Sequence, residues 1–276
     1  MKVWMSVAGV SQLMDPEDAR VSVFDHGFTV ADGVFETLKV DHGVAYAVSR
    51  HLRRLVASAE TLQLPQIPLE DIRSGIEQVL AAGAPPLARM RVTVTAGAGP
   101  LGSDRGDVPP TIVIALAEVS PWPSTTTATL VPWVRNERSP VVGAKTTSYA
   151  DNVVALDWAH QRGFSEGLFL NTRDEVCEGT GTNLFLVRDS QIVTPPLTSG
   201  CLAGITRDLV VEWAGAIERT LTWADVLEAD EVFLTSSTRE VHPVVRLDER
   251  TWDGEGVVTR SVRESFRTKI LDNPDP

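Results

Sequence analysis

Four short segments carry residue types that could do chemistry. In Gly143-Ala144-Lys145-Thr146-Thr147-Ser148-Tyr149 a lysine sits among small apolar and hydroxyl residues, with no carboxylate before Asp151. Such a lysine is either a solvated loop residue or a desolvated amine of lowered pKa, able to form a Schiff base and then shuttle a proton. In Glu175-Val176-Cys177-Glu178-Gly179-Thr180-Gly181-Thr182-Asn183-Leu184-Phe185, Glu178 precedes a Gly/Thr turn that leads into a strand. It is either a turn carboxylate in solvent or one that faces a ring nitrogen and keeps it protonated. Gly204-Ile205-Thr206 opens a helix. The first amides of a helix are unpaired and attract phosphate, and Thr206 adds a hydroxyl, although a plain threonine N-cap would read the same way. In Leu234-Thr235-Ser236-Ser237-Thr238 four hydroxyl residues follow a strand. Such a turn presents hydroxyls and amides to a phosphate, or caps itself.

These segments must be held by elements whose patterns are legible. Strands are expected at Val3–Val7, Ser22–Phe24, Thr37–Val40 and, after the turn Asp41-His42-Gly43, at Val44–Val48. Ser49 reads as the cap of a helix from Arg50 to about Leu62, with Leu52, Leu55, Val56, Ala59 and Leu62 on one face. A second helix spans Leu69–Ala82. Ala88–Thr95 alternates as a half-buried strand does, Gly97–Pro110 is a loop, and Thr111–Ala117 is a buried strand. The prolines of Glu118-Val119-Ser120-Pro121-Trp122-Pro123-Ser124 mark an extended connector. The expected division is therefore an N-terminal α/β domain over 1–118, a linker over 119–126 and a C-terminal domain over 127–276. In the latter, Ala128–Val134, Gly167–Asn171, Asn183–Val187, Glu231–Thr235 and Val244–Leu247 read as strands, Ala150–Arg162 and Thr206–Ala216 as helices, and Leu271–Pro276 as a frayed tail. The picture is α+β (α/β) with two sheet-bearing halves.

Composition narrows the function classes. The 276 residues are 43% hydrophobic and 22% charged, which suits a folded globular protein. A formal charge of −12 argues against gripping nucleic acid or anionic membrane by bulk electrostatics. No apolar run reaches a membrane span, and the apolar start is too short for a signal peptide, so a cytoplasmic protein is expected. Two cysteines, Cys177 and Cys201, fit neither a disulfide framework nor a metal motif. Only four of the 25 basic residues are lysines, so Lys145 stands out.

In order and wording the four segments resemble the class-IV aminotransferases, the fold-type IV pyridoxal-phosphate enzymes. The resemblance runs from Phe24 to Val245 and includes Asp32-Gly33-Val34-Phe35-Glu36-Thr37, His51-Leu52-Arg53-Arg54-Leu55, Glu178-Gly179…Asn183-Leu184-Phe185, Gly204-Ile205-Thr206-Arg207 and Thr235-Ser236-Ser237-Thr238. It implies a two-domain fold like that of D-amino-acid aminotransferase, with pyridoxal 5′-phosphate between the domains, a small-molecule amino substrate and a homodimer. By position it makes Lys145 the Schiff-base lysine and proton shuttle, and Glu178 the partner of the pyridine nitrogen. Arg54 becomes a phosphate ligand, as suits a charge-assisted bond to a dianion. Gly204, Ile205 and Thr206, with Ser236, Ser237 and Thr238, form the phosphate cup. Tyr149 flanks the cofactor.

The family runs several reactions. Phe35-Glu36-Thr37-Leu38-Lys39 resembles the aminodeoxychorismate lyases, in which a hydroxyl such as Thr37 could relay a proton to the leaving group and Lys39 could attract a substrate carboxylate. That ranks release of pyruvate and 4-aminobenzoate first. Transamination of D-amino acids, branched-chain amino acids or (R)-amines comes second, and a non-catalytic cofactor-binding relative third. The lyase-like Ser-Arg-Gly is absent, leaving Arg105 of the 97–110 loop as a substrate-carboxylate candidate. Phe28 stands where D-amino-acid enzymes place a substrate-binding tyrosine.

Overall fold

The computed structural model describes residues 1–276, and its contacts divide the chain into two units. One comprises Met1–Pro121, Ala144–Ser148 and Pro274–Pro276; the other comprises Trp122–Gly143 and Tyr149–Asn273. The division is thus not a single cut. The five residues around Lys145, although they follow the connector in sequence, fold with the first unit.

The first unit contains β1 (Val3–Val7), β2 (Val10–Met14), the short helix α1 (His26–Thr29), β3 (Gly33–Asp41), β4 (Val44–Ala45), α2 (Val48–Thr61), α3 (Leu69–Ala81), β5 (Leu87–Thr95) and β6 (Thr111–Glu118). The strands form an antiparallel sheet in the order β2-β1-β6-β5-β3-β4. Strand alternation sends Val34, Leu38 and Val40, Ala88, Met90, Val92 and Val94, and Ile112, Ile114 and Leu116 to one face. There they pack against Leu52, Leu55 and Ala59 of α2 and Ile72, Ile76 and Val79 of α3. The expected strand over Ser22–Phe24 does not form; those residues lie in turns ahead of α1. The β1–β2 hairpin, not read from the sequence, occupies that edge instead.

Three local expectations change for physical reasons. The second strand of the β3–β4 hairpin ends at Ala45 because Ala47 takes a left-handed conformation (φ 54°) and starts α2 there. Ser49 is not the cap of α2; its amide and hydroxyl both donate to the Asp275 carboxylate, at 2.7 and 2.6 Å. The tail is therefore fastened rather than frayed: Ala47 N–H donates to Pro274 O at 2.6 Å, and Arg50 Nε to Pro276 O at 3.0 Å.

The second unit is built on a mixed nine-stranded sheet. Its strands are β7 (Thr126–Arg135), β8 (Glu166–Asn171), β9 (Val176–Gly179), β10 (Asn183–Arg188), β11 (Gln191–Thr194), β12 (Ile217–Glu218), β13 (Glu231–Ser236), β14 (Glu240–Leu247) and β15 (Arg250–Thr251). The order is β12-β11-β10-β13-β14-β7-β8-β9, with β15 on β14. Its helices are α4 (Ala150–Gln161), α5 (Ile205–Ala214), α6 (Trp223–Leu227) and α7 (Val257–Asp272), the last two of which the sequence pattern did not reveal. Leu184, Leu186, Val193, Leu221, Val232, Leu234 and Val244 form one core. Phe185 stacks on Phe233, its partner in the β10–β13 register, with ring centroids 4.8 Å apart.

No helix is long and apolar enough to cross a membrane, and no group of three metal-ligating side chains assembles. A tight helix–sheet approach occurs at Gly75 of α3, where an added Cβ would stand 2.6 Å from Trp4 Cδ2 and 2.8 Å from Ile114 Cδ1. Overpacking a dense core by such an insertion costs about 1–3 kcal/mol. Gly75→Val should therefore lower the melting temperature measurably, while Gly83→Ala, where nothing lies within 4 Å of an added Cβ but φ is +111°, reports the backbone cost alone. An unchanged melting temperature in Gly75→Val would contradict this packing.

Candidate active site

Lys145 is stitched into the first unit by its backbone. Its amide donates to Ser58 Oγ of α2 at 3.0 Å, and its carbonyl accepts from Phe35 N–H of β3 at 2.9 Å. Thr147 N–H donates to Gly33 O at 2.8 Å and Thr147 Oγ1 to Ala31 O at 2.7 Å. Gly33 leaves room for this approach, since a Cβ there would stand 3.2 Å from Thr147 Oγ1, as well as 2.7 Å from Val94 O of β5. The Lys145 ammonium lies over the Phe35 ring, 4.3 Å from its centroid.

Beside this lysine is a cluster that the sequence reading did not assign. Glu36 shares the core parity of Val34 and Leu38 and is fully buried. Its carboxylate accepts from Arg54 Nε at 2.8 Å, from Arg54 Nη2 at 2.7 Å and from His51 Nδ1 at 2.6 Å. Burial by itself would raise its pKa. The Arg54 charge and paired hydrogen bonds, with help from His51, outweigh burial and hold it at about 2. Burial depresses the His51 pKa; Glu36 opposes that shift, and the Arg54 and Lys145 charges add to it. The signal was available in the sequence: a glutamate at a core position of β3, opposite His51 and Arg54 one turn apart on α2.

The other face of the same sheet is cationic near Lys145. Phe35, Thr37 and Lys39 alternate onto it, and in register they face Thr93, Arg91 and Arg89. The Arg91 guanidinium lies 3.3 Å from the Phe35 ring centroid. Lys39 Nζ is 3.6 Å from Asp41 Oδ2 and 5.4 Å from the Tyr46 ring centroid. Sequence reading named Thr37 and Lys39 but missed Arg89 and Arg91, which the alternation of Ala88–Thr95 puts on the non-core side.

Two of the substrate candidates are differently engaged. Arg105 donates to both Asp32 carboxylate oxygens at 2.7 Å and to the carbonyls of Leu62 and Gln63 at 2.7 and 2.6 Å. It pins the 97–110 loop to the end of α2, and four hydrogen bonds leave it little capacity for a substrate. Asp32 is correspondingly acidic, because the bonds and charge of Arg105, with His26, outweigh partial burial. Phe28, on α1, is 75% exposed.

In the second unit Glu178 lies on β9. Its Oε2 accepts from Leu202 N–H at 2.9 Å, and its Oε1 is 3.2 Å from Arg135 Nε. Arg135 lies over the Phe169 ring at 4.4 Å and donates to Asn152 Oδ1 at 3.2 Å. Tyr149 Oη donates to Thr180 O at 3.1 Å. The turn behind Glu178 closes on Glu166, a fully buried carboxylate that accepts from Thr180 N–H at 3.0 Å, from Thr180 Oγ1, from Gly167 N–H at 3.1 Å and from Thr182 Oγ1 at 3.3 Å. Arg239 Nη2 completes it at 3.2 Å.

The proposed phosphate residues fall at two adjoining element ends. Gly204 is the N-cap of α5, and no side chain caps that helix. Asn183 latches the preceding loop, donating to Leu202 O at 2.9 Å, and a Cβ on Gly204 would collide with its Oδ1. Ile205 and Thr206 make up the buried first turn. The helix packs on β13, whose end carries Ser236 and then the turn residues Ser237 and Thr238. Ser236 Oγ accepts from Arg239 N–H at 3.2 Å, and Thr235 Oγ1 is buried without a partner. An uncapped helix start beside an orphaned hydroxyl fits a bound oxyanion.

A family model for amino-transferase class IV matches residues 33–247. The chain belongs to the class IV aminotransferases. Enzymes of this class use pyridoxal 5′-phosphate, and the uncapped α5 start with its neighbouring hydroxyls fits the phosphate of that cofactor. This class IV chain is 33% identical to a Methanocaldococcus jannaschii protein provisionally named a branched-chain-amino-acid aminotransferase, over 97% of this chain and 96% of that one. It is 28% identical to D-alanine aminotransferase of Staphylococcus haemolyticus, over 94% and 95%. The branched-chain aminotransferase of Thermoproteus uzoniensis, solved with norvaline, superposes with a TM-score of 0.89 at 28% identity, over 99% of this chain and 95% of that one. A Mycobacterium tuberculosis protein described as a hypothetical aminotransferase, in its PLP-bound form, gives 0.85 at 24%, over 98% and 99%, and shares the fold. A Legionella pneumophila protein provisionally named a 4-amino-4-deoxychorismate lyase also gives 0.85 at 24%, over 95% and 97%, and shares the fold.

Buried groups of lowered pKa, His242 and Glu36 among them, contribute to the acid response of this enzyme. Burial, the Arg239 charge and, less strongly, Arg263 lower the His242 pKa from 6.5 to about 4, against the opposing carbonyls of Pro123 and Thr125. The unfolded chain therefore takes up that proton first, and stability is lost as pH falls from 6.5 toward 4. Glu36 adds a second loss as pH falls from 4.5 toward 2. Melting temperature should accordingly fall below pH 6.5 and more steeply below 4.5. His242→Asn should flatten the upper part of that profile; a flat profile in the parent enzyme would contradict both shifts.

Proposed function

We propose that this protein is an aminotransferase that moves an amino group from an amino acid to a 2-oxo acid, with branched-chain amino acids the first donors to test and D-alanine the next. The observation that carries the reading is the cationic sheet face beside Lys145. Lys39, Arg89 and Arg91 offer positive charge to substrates that bear carboxylates, and Arg91 and Lys145 Nζ share the Phe35 ring. Full-length similarity to proteins named branched-chain and D-alanine aminotransferases supports it.

When bound, pyridoxal phosphate supplies the electron sink that makes a substrate α-proton removable. Lys145 Nζ is the group that takes the proton from the α-carbon and returns it elsewhere, because it is a primary amine whose backbone is fixed at both its N–H and its C=O. Glu178 would hold the ring nitrogen by accepting its hydrogen bond. The Leu202 amide and Arg135 hold its carboxylate in place for that role. Arg54, the Gly204–Thr206 amides and the Ser236–Thr238 turn would hold the phosphate, and Tyr149 would flank the ring. Loss of Lys145 should cost at least about a thousandfold in rate, the scale of a lost acid–base catalyst.

A second reading, aminodeoxychorismate lyase, rests on Thr37, which lies on the same cationic face in register with Arg91. The two differ in product. Transamination gives a new amino acid only when a 2-oxo acid is present; the lyase releases pyruvate with no acceptor. Purified enzyme supplied with L-leucine, L-valine or D-alanine and 2-oxoglutarate should form glutamate, and Lys145→Ala should not. Pyruvate release from aminodeoxychorismate without acceptor, and no glutamate from any donor, would overturn the aminotransferase reading in favour of the lyase.

We also propose a homodimer. Val21, Val23, Phe24, Phe28 and Val30 are exposed within ten residues of the first unit, a density of apolar surface unusual for a monomer. Light scattering should give twice the chain mass. Phe24→Asp should shift it toward the monomer, and a monomeric parent protein would refute the assignment.

A further inference from the structure

Glu36 is a carboxylate that the reaction itself does not use, yet it is the most completely enclosed charge in the first unit. It stands on the core face of β3 between Val34 and Leu38, with Val92 opposite it in register. An isolated carboxylate there would be prohibitively costly, and three donated hydrogen bonds from α2 are what make it tolerable. Two come from one guanidinium in the paired geometry that fixes its plane. The third comes from His51 Nδ1, three residues before Arg54, so the carboxylate spans one turn of the helix. Four residues beyond Arg54 on the same helix, Ser58 Oγ receives the Lys145 amide. One helix thus carries both the arginine and the anchor of the lysine, and Glu36 ties that helix to the strand that receives the lysine's carbonyl.

We infer that Glu36, with His51, is a positioning residue for phosphate: it aligns Arg54 so that the guanidinium grips the phosphate of the cofactor. The pair with Glu36 engages Nε and Nη2 and so decides which way Nη1 points. Without the carboxylate the guanidinium has a flexible stem and no defined plane, and its attraction for a dianion spreads over many rotamers. The inference rests on the reading of Arg54 as a phosphate ligand.

The test uses full-length protein stripped of cofactor and compares two ligands, pyridoxal 5′-phosphate and pyridoxal, by absorbance titration. Only the first carries the phosphate, so a general structural defect weakens both and a misdirected Arg54 weakens only one. Glu36→Gln should weaken pyridoxal phosphate by about tenfold or more, the scale of one charge-assisted hydrogen bond, and change pyridoxal by less than about twofold. Glu36→Asp keeps the buried charge but is too short to keep both arginine bonds, so it gives the same pattern if Glu36→Gln does not fold. Arg54→Gln is the control for the underlying reading. If Arg54→Gln leaves pyridoxal phosphate affinity unchanged, Arg54 is not a phosphate ligand and the reading beneath the inference fails. If Arg54→Gln weakens it selectively and the folded Glu36 variants do not, or if they weaken both ligands equally, the positioning role is overturned.

Discussion

A carboxylate without access to water constrains its neighbours more than any apolar contact can. Glu36 is such a group, and its requirement for three donors fixes the register of α2 on β3. Apolar packing between Leu52, Leu55 and Ala59 and the sheet would tolerate small slides, because dispersion has no direction. A paired guanidinium–carboxylate contact tolerates none without leaving a buried charge unpaired. That directional contact holds α2 where Ser58 can receive the Lys145 amide while β3 receives its carbonyl.

The second unit uses the same device. Glu166, fully buried, gathers the Thr180 amide and hydroxyl, the Gly167 amide, the Thr182 hydroxyl and the Arg239 guanidinium. It closes the turn that follows Glu178, and a Cβ on Gly179 would strike Thr182 Oγ1. In both units a functional side chain is thus seated by a buried carboxylate belonging to a neighbouring strand. Such sites are stiff because a half-satisfied polar network costs more than none.

Rigid seating of this kind suits a family in which the proton chemistry is shared and the substrate varies. The groups around Lys145 and Glu178 are held by backbone amides and buried charge, whereas the face proposed to meet substrate is an ordinary strand face. Thr37, Lys39, Arg89 and Arg91 can change without disturbing the core face, since alternation separates the two sets of residues. The 97–110 loop, by contrast, is held down by Arg105 through Asp32 and the end of α2.

The amino-acid order alone carries the strand alternation of β5, the apolar faces of α2 and α3, and the chain order of Lys145, Glu178, Gly204–Thr206 and Ser236–Thr238, because these depend on local periodicity and on short motifs. It also carried a clue left unread: Glu36 stands at a core position in the pattern Val34, Leu38, Val40, where a carboxylate needs partners. Only the tertiary structure decided that the partners are Arg54 and His51, that Arg105 is consumed by Asp32, and that Asp275 takes the Ser49 hydroxyl across 226 residues of chain. It also decided that Ala144–Ser148 folds with the first unit despite lying beyond the connector. Each of these is a pairing between residues remote in sequence. Periodicity shows which side of a strand or helix a residue occupies; which group stands opposite it is settled only when separate segments pack and every buried charge has to find a partner.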